Sequence, residues 1–163
     1  MPSPLPSARI RPANVLDAPA LAAVHLRCWH ETYGDKVPDD VYAERAANGP
    51  AEWERALSDP DGPTTWLAQR DGEAVGFAQA VAPGAGHVRP LELRLLYVVA
   101  AEQGRRTGTH LLLLAIGDAP CQLWVEEGNS RAQGFYRHHG FEPDGERRAV
   151  AARGALTEVR MLR

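Results

Sequence analysis

Residues 91–116 read LELRLLYVVAAEQGRRTGTHLLLLAI. The first nine, LELRLLYVV, are aliphatic and β-branched with Glu92 and Arg94 as the only charges, and they predict a strand. THLLLLAIGD, from Thr109, predicts a helix of roughly three turns stopped by Gly117 and Pro120. The polar stretch between them carries Gly104 and Gly108 beside two arginines, Arg105 and Arg106. Strand, glycine-bearing loop and helix N-terminus in that order make a recurrent anion site, because unpaired backbone N–H groups and the positive end of the helix dipole face the ligand. Two better-known phosphate loops are excluded: G-x-x-x-x-G-K-[ST] is absent, and no G-x-G-x-x-G follows a predicted strand. Taken alone, the two glycines serve a tight turn equally well.

Outward from this stretch the pattern is mixed. ARIRPA (8–13) reads as a short strand, and DAPALAAVHLRCWHETYG (17–34) as a helix with Asp17 as N-cap and Gly34 as stop. VPDDVYAERAANG (37–49) and PAEWERALSDPDG (50–62) read as two short helices, each opened by proline or aspartate and closed near glycine. TTWLAQR and EAVGFAQAVAPG flank Asp71-Gly72, a favoured two-residue hairpin turn. CQLWVEE is a strand, NSRAQGFYRHHG a helix capped by Asn129 or Ser130 and ended by Gly140, and two last strands fall around FEPDG and ALTEVRML. The expected order is β-α-α-β-β-β-α-β-α-β-β: an α/β protein with a mixed sheet and helices on its faces, one domain over residues 9–163 behind a disordered tail over residues 1–8.

Composition narrows the class. The 163 residues suffice for one buried core, and 44% hydrophobic with 24% charged residues is ordinary for a globular protein. The longest aliphatic run, Leu111–Ile116, is far short of the ~18 residues of a membrane span. The beginning, MPSPLPSARI, lacks the basic and apolar parts of a signal peptide, so the expected location is cytoplasmic. A net charge of −3 opposes nucleic-acid binding. Cys28 and Cys121 cannot form a disulfide framework or a four-ligand zinc site, the histidines show no metal spacing, and no metal is expected.

Two motifs then add a resemblance. LYVVAAEQGRRTGTHLL followed by LWVEEGNSRAQGFYRHHGFEPDGE closely resembles the GNAT superfamily of acyl-CoA-dependent N-acyltransferases. The family's [RQ]-x-x-G-x-[GA] loop corresponds to Gln103 through Gly108, with Arg106 standing where the family has its first glycine. N-x-x-A-x-x-F-Y-x-x-x-G-F is matched by Asn129, Ala132, Phe135, Tyr136, Gly140 and Phe141, and W-x-x-T-Y-G by Trp29, Thr32, Tyr33 and Gly34. The likeness runs from about Arg9 to the last strand.

The resemblance implies acetyl-CoA as the acyl donor. It implies that Leu96, Tyr97 and Val98 offer strand backbone to the pantetheine arm and that Gln103, Gly104, Arg105, Arg106, Thr107, Gly108 and Thr109 hold the pyrophosphate. Asn129, Ala132, Phe135 and Tyr136 complete the cofactor side. Tyr136 is the implied proton donor to the departing thiolate, its alternative being a core aromatic on the stripe of Ala132 and Phe135. Glu92 is the implied general base, placed by strand alternation on one face with Arg94, Leu96 and Val98, or else a surface charge beside Arg94. A strand N–H, that of Val98, is expected to stabilise the oxyanion. Cys28 has no visible activating set, so direct transfer in a ternary complex is preferred to a covalent route.

Trp29, His30, Tyr33, His87 and Arg89 are the expected acceptor-side residues, from the family's variable segments. The implied partner is a small-molecule or peptidyl amine, with no nucleic acid, no membrane, and a homodimer left open. No acidic cluster in the sequence announces a polyamine. The contrasting class, an acyl-CoA-binding module without catalysis, rests on Arg106. A helical backbone there would let the arginine point outward to a phosphate, whereas a positive φ would strain it.

Overall fold

A computed structural model describes residues 7–163, so all but the last two residues of the expected tail lie outside the described residues. Seven strands, β1 (Arg9–Pro12), β2 (Thr65–Arg70), β3 (Glu73–Val81), β4 (Leu91–Val98), β5 (Cys121–Glu126), β6 (Glu142–Val150) and β7 (Leu156–Leu162), form one sheet in the order β1-β2-β3-β4-β5-β7-β6. The helices are α1 (Ala18–Tyr33), α2 (Asp39–Ser58), α3 (Thr107–Ile116) and α4 (Ser130–His138). This is the mixed α/β sheet the sequence predicts. β4 and β5 are the parallel pair, which requires a crossover, and α3 supplies it. Asp71 at φ 52° and Gly72 at φ 85° turn the β2–β3 hairpin as expected.

The sheet separates two cores. On one face Leu112 and Ile116 of α3, Tyr136 of α4 and Phe141 just before β6 pack against Leu93, Leu123, Val125 and Met161. On the other, α1 and α2 cover Leu67 and Phe77 with Leu21, Val24, Cys28 and Trp53, and Trp29, Tyr33 and Tyr42 meet Leu156 of β7.

Two expectations for the first helices need correction. The two short helices after α1 are one, α2, with Pro50 inside it. Tyr42, Gly49 and Trp53 fall on its buried side, and Gly49 brings α2 against Ala22 of α1. Burying two large aromatic residues, at about 1.5–3 kcal/mol each, offsets the roughly 3 kcal/mol that an interior proline costs. Asp17 precedes α1 but makes no side-chain cap. Its carboxylate instead accepts two bonds from Arg11, at 2.7 and 2.8 Å, and one from the Asn14 N–H at 2.8 Å. Arg11 first, with the Asn14 N–H assisting, holds that carboxyl below its usual pKa despite burial.

The feature that positions the site is an interrupted pairing. β4 and β5 are in register only from Leu91–Cys121 to Leu93–Leu123. Beyond that β4 continues on β3 and β5 on β7, so the two halves of the sheet part between Arg94–Val98 and Trp124–Glu126. Along this edge the β4 backbone groups that point away from β3 have no strand to bond.

Candidate active site

A groove of about 810 Å³ occupies the parting. Leu93 to Val98 form one wall, Trp124 to Glu126 the other, and the α3 and α4 N-termini close one end. There Gln103, Gly104, Arg106, Gly108, Thr109, Asn129 and Ala132 line it. The chain leaves β4 through a short helical turn over Ala100–Glu102, then turns at Gly104, φ 81°. Gln103 Nε2 donates to the Val98 carbonyl at 3.0 Å, tying the loop to the strand it leaves. The His110 N–H donates to the Arg106 carbonyl at 3.0 Å as the first helical bond of α3, so the amides before it are the orphan donors of a helix start. At α4 the Asn129 side chain caps the Ala132 N–H at 3.0 Å, leaving Asn129 and not Ser130 as the cap.

Arg106 takes the positive-φ alternative and not the helical one. Its backbone is left-handed, φ 65° and ψ 2°, where the family glycine has no penalty. Arg106 lines the groove, whereas Arg105 and Thr107 do not. Thr107 is 2% exposed and its hydroxyl donates to Glu102 Oε1 at 2.7 Å. Glu102, which the sequence reading passed over, is 3% exposed beneath the loop and takes Arg70 through both oxygens, at 2.6 and 2.8 Å. Arg70 first, then the Thr107 hydroxyl, keeps its pKa below the ordinary value against burial. It braces the loop from below while the amides face the groove.

In the middle of the groove Tyr136 stands in the α4 wall between Phe135 and Phe141, with ring centroids 5.4 and 5.8 Å away. Its phenol finds no hydrogen-bond partner among the described residues. Burial pushes its pKa well above the usual phenol value, so the proton stays on at neutral pH.

Glu92 also lines the groove, accepting from Gln122 Nε2 at 2.7 Å. Its neighbours are not those that alternation predicts. The β3–β4 register slips so that Leu95 faces Gln79 while Leu93 faces Ala80, and Arg94 is the extra residue. This bulge puts Leu91, Leu93 and Leu96 toward α3 and α4, and Leu95 and Tyr97 toward α1. Glu92 and Gln122 project to the α1 face, away from Leu96 and Val98.

Of the expected acceptor-side residues only Tyr33 lines the groove. Trp29 is 2% exposed in the core, crossed by Arg45 at 3.9 Å, and His30 stacks on Tyr42 at 3.9 Å. Arg89 donates to the carbonyl of Arg163 at 2.9 Å, and His87 Nδ1 lies 3.2 Å from Gln122 Nε2, joined to Glu92 only through that amide. Trp29 and Tyr33, four residues apart, share the buried side of α1 with ring centroids 5.6 Å apart, and Tyr33, one turn nearer the helix end, is the one that reaches the groove.

The α1 face of the groove is lined instead by Glu31, Trp124, Glu126, Arg148, Arg153 and Glu158, none singled out in the sequence. Period-2 patterning on β5 and β7 could have placed Trp124, Glu126 and Glu158 on one face, but not shown which helix they meet.

The fold recurs widely. A PaiA N-acetyltransferase from Thermoplasma acidophilum, solved in complex with coenzyme A, superposes with TM-score 0.72 at 19% identity over 95% of this chain and 98% of that one. A ribosomal-protein-alanine N-acetyltransferase from Brucella melitensis gives 0.69 at 25% identity over 95% and 98%. In sequence the chain is 30% identical over 144 residues to a protein of Mycobacterium tuberculosis named "Probable N-acetyltransferase", covering 84% of this chain and 81% of that one. The model of the acetyltransferase (GNAT) family matches residues 19–141, the span that holds the loop, Tyr136 and most of the groove lining, and the chain belongs to that family.

Proposed function

We propose that the protein transfers an acetyl group from acetyl-CoA to a primary amine by direct attack within a ternary complex. The observation that carries this reading is the parting of β4 from β5 over a groove with helix-start amides at one end and an unpartnered phenol in its wall. The residues fit the donor. Unpaired β4 edge groups between Arg94 and Val98 suit an amide-bearing arm, and the orphan amides before His110, with Arg106 and Arg131 lining the same end, suit a pyrophosphate. When bound, acetyl-CoA supplies an activated acetyl carbon and a thiolate leaving group.

Tyr136 holds its proton where a departing sulfur would need one. A β4 N–H in the parting, such as that of Val98, stabilises negative charge on the acetyl oxygen. Glu92, on the opposite face and paired with a neutral amide, accepts the proton of the incoming ammonium directly or through water. Donor and acceptor thus approach from opposite faces of one sheet.

The test is a pair of measurements. Acetyl-CoA should raise Tm by binding the folded state, and Tyr136→Phe should keep that shift while lowering turnover roughly tenfold or more. Absence of a shift at millimolar acetyl-CoA would remove the reading. A shift with unchanged turnover in Tyr136→Phe would return Tyr136 to a packing role.

A further inference from the structure

The acceptor face carries a cluster of two guanidiniums around one carboxylate that the transfer chemistry does not use. Glu158 of β7 is 3% exposed, and two guanidiniums share its carboxylate. Arg148 of β6 bonds Oε2 through Nε at 2.7 Å, and Arg153 bonds Oε1 through Nη1 at 2.7 Å. One negative charge against two positive ones leaves an excess cation at a half-buried wall, where a charge costs more than at a free surface.

Arg153 is held in place from several sides. Its guanidinium lies 5.2 Å from the Trp29 ring centre and 6.0 Å from that of Tyr33, and the same Nη1 reaches the Tyr33 hydroxyl at 3.4 Å. The turn that presents it is closely fitted: Gly154 has φ 64°, and a Cβ there would come within 2.6 Å of Pro38 Cδ. Only Nη1 of Arg153 is committed; Nε and Nη2, its other edge, have no partner among the described residues. That edge is the fork that takes both oxygens of a carboxylate.

The other carboxylates on this face, Glu92 apart, are already answered. Glu126 is held by Lys36 at 3.3 Å and by the Gly128 N–H at 2.9 Å, and Glu31 by Arg27 at 2.8 Å and the Ala100 N–H at 2.7 Å. Glu92 alone of the groove-lining carboxylates here has a neutral partner. A polycation therefore meets no open acidic cluster, while an amine that carries its own anion meets a carboxylate and a spare guanidinium edge. The Tyr33 and Tyr97 hydroxyls, 3.4 Å apart, join the Arg153 turn to β4, where transfer would occur.

We propose that Arg153, set by Glu158, Tyr33 and Trp29, binds a carboxylate on the acceptor, so that the acceptor is a zwitterionic small amine of the amino-acid class. This rests on the acetyl-transfer reading for the amine half but not for the carboxylate half.

The test compares a set of L-amino acids, each beside its decarboxylated amine and its phosphonate analogue, in acetyl-CoA turnover and, separately, in thermal shift without acetyl-CoA. In the unaltered protein the amino acids should exceed their decarboxylated partners about tenfold or more in kcat/KM and alone should raise Tm. Arg153→Gln should reduce kcat/KM for the amino acid about tenfold, mostly through KM, and affect the plain amine much less, with Arg153→Lys between the two. Preference for plain amines or polyamines, or equal losses for both substrates in Arg153→Gln, would overturn the proposal. Stronger use of the phosphonates would overturn the carboxylate assignment. Should acetyl-CoA itself fail to bind, the acetyl-transfer reading falls, while a thermal shift by amino acids alone still supports the carboxylate site. Because the substrate comparison uses the unaltered chain, a folding defect in the variants leaves it decisive.

Discussion

At its α3 end the groove is walled by backbone: a strand edge, a loop turning at Gly104, and the unbonded amides that begin a helix. On its α1 face it is walled by side chains from α1, β4, β5, β6, β7 and the turn before β7. The two ends place different demands on a sequence. A backbone cradle needs consecutive residues of the right flexibility, so its signature is local and stays contiguous. A side-chain wall needs only that separate elements meet, and leaves no local signature.

Changes at the two ends should therefore differ in kind. Cradle substitutions should act through loop conformation, and acceptor-face substitutions through individual contacts. The largest expected effect is at Glu102. Glu102→Ala removes the carboxylate that both Arg70 and Thr107 use, and should cost on the order of 2 kcal/mol in chemical denaturation, with acetyl-CoA affinity falling in parallel. Glu102→Gln, which keeps an acceptor for Thr107, should lose less of both. If acetyl-CoA affinity is unaffected in Glu102→Ala, the cradle is set by its own backbone and the bracing role fails.

An effect smaller per pH unit comes from under the acceptor face, where His25 is packed among Trp29, Trp53, Phe77 and Tyr97. Burial, with the nearby Arg45 and Arg153 charges adding to it, lowers its pKa to about 3. An unfolded chain protonates His25 near the ordinary value of about 6.5, so in the window between these values the unfolded state binds more protons. The folded pKa is depressed, so the stability it contributes is present above about pH 6.5 and declines as pH falls, at up to ~1.4 kcal/mol per pH unit. Denaturation curves between pH 7 and 4 should show this slope, and His25→Phe should flatten it. An unchanged slope would mean that water reaches the imidazole and that the floor of this face is less closed than its packing indicates.

The same contrast explains what was legible beforehand. The strands β4 and β5, the hairpin at Asp71-Gly72 and both motif helices are local patterns, and the structure has them where period and turn chemistry put them. The join of two short helices into α2 was not legible, because Pro50 is a local stop signal that tertiary burial of Tyr42 and Trp53 overrides. The face of Glu92 was lost to one extra residue at Arg94, since a bulge reverses alternation without altering composition. Trp29 and His30 stood in a motif that named a segment but not which side of α1 meets the core. Arg153 follows a three-alanine-and-valine stretch that carries no chemistry until Glu158 and Tyr33 are brought to it.

The smallest expected effect is also the most informative about the cradle, because Arg106 there opposes backbone preference to side-chain charge. Its left-handed backbone costs an ordinary residue about 1–2 kcal/mol, a cost that glycine avoids. Its guanidinium lines the groove with no partner among the described residues, next to the amides that face an anion. Arg106→Gly should therefore raise stability by about 1 kcal/mol, or about 2–4 °C in Tm, while weakening acetyl-CoA binding modestly and making it less sensitive to salt. Arg106→Ala keeps the backbone cost and removes the same charge, so it should match the loss of affinity without the gain in Tm. Opposite movements of stability and affinity in the glycine variant would identify the strain as local and the arginine as a ligand-facing group. A gain of affinity in both variants would identify the arginine as an obstruction, and would favour an acyl-CoA-binding module over an enzyme.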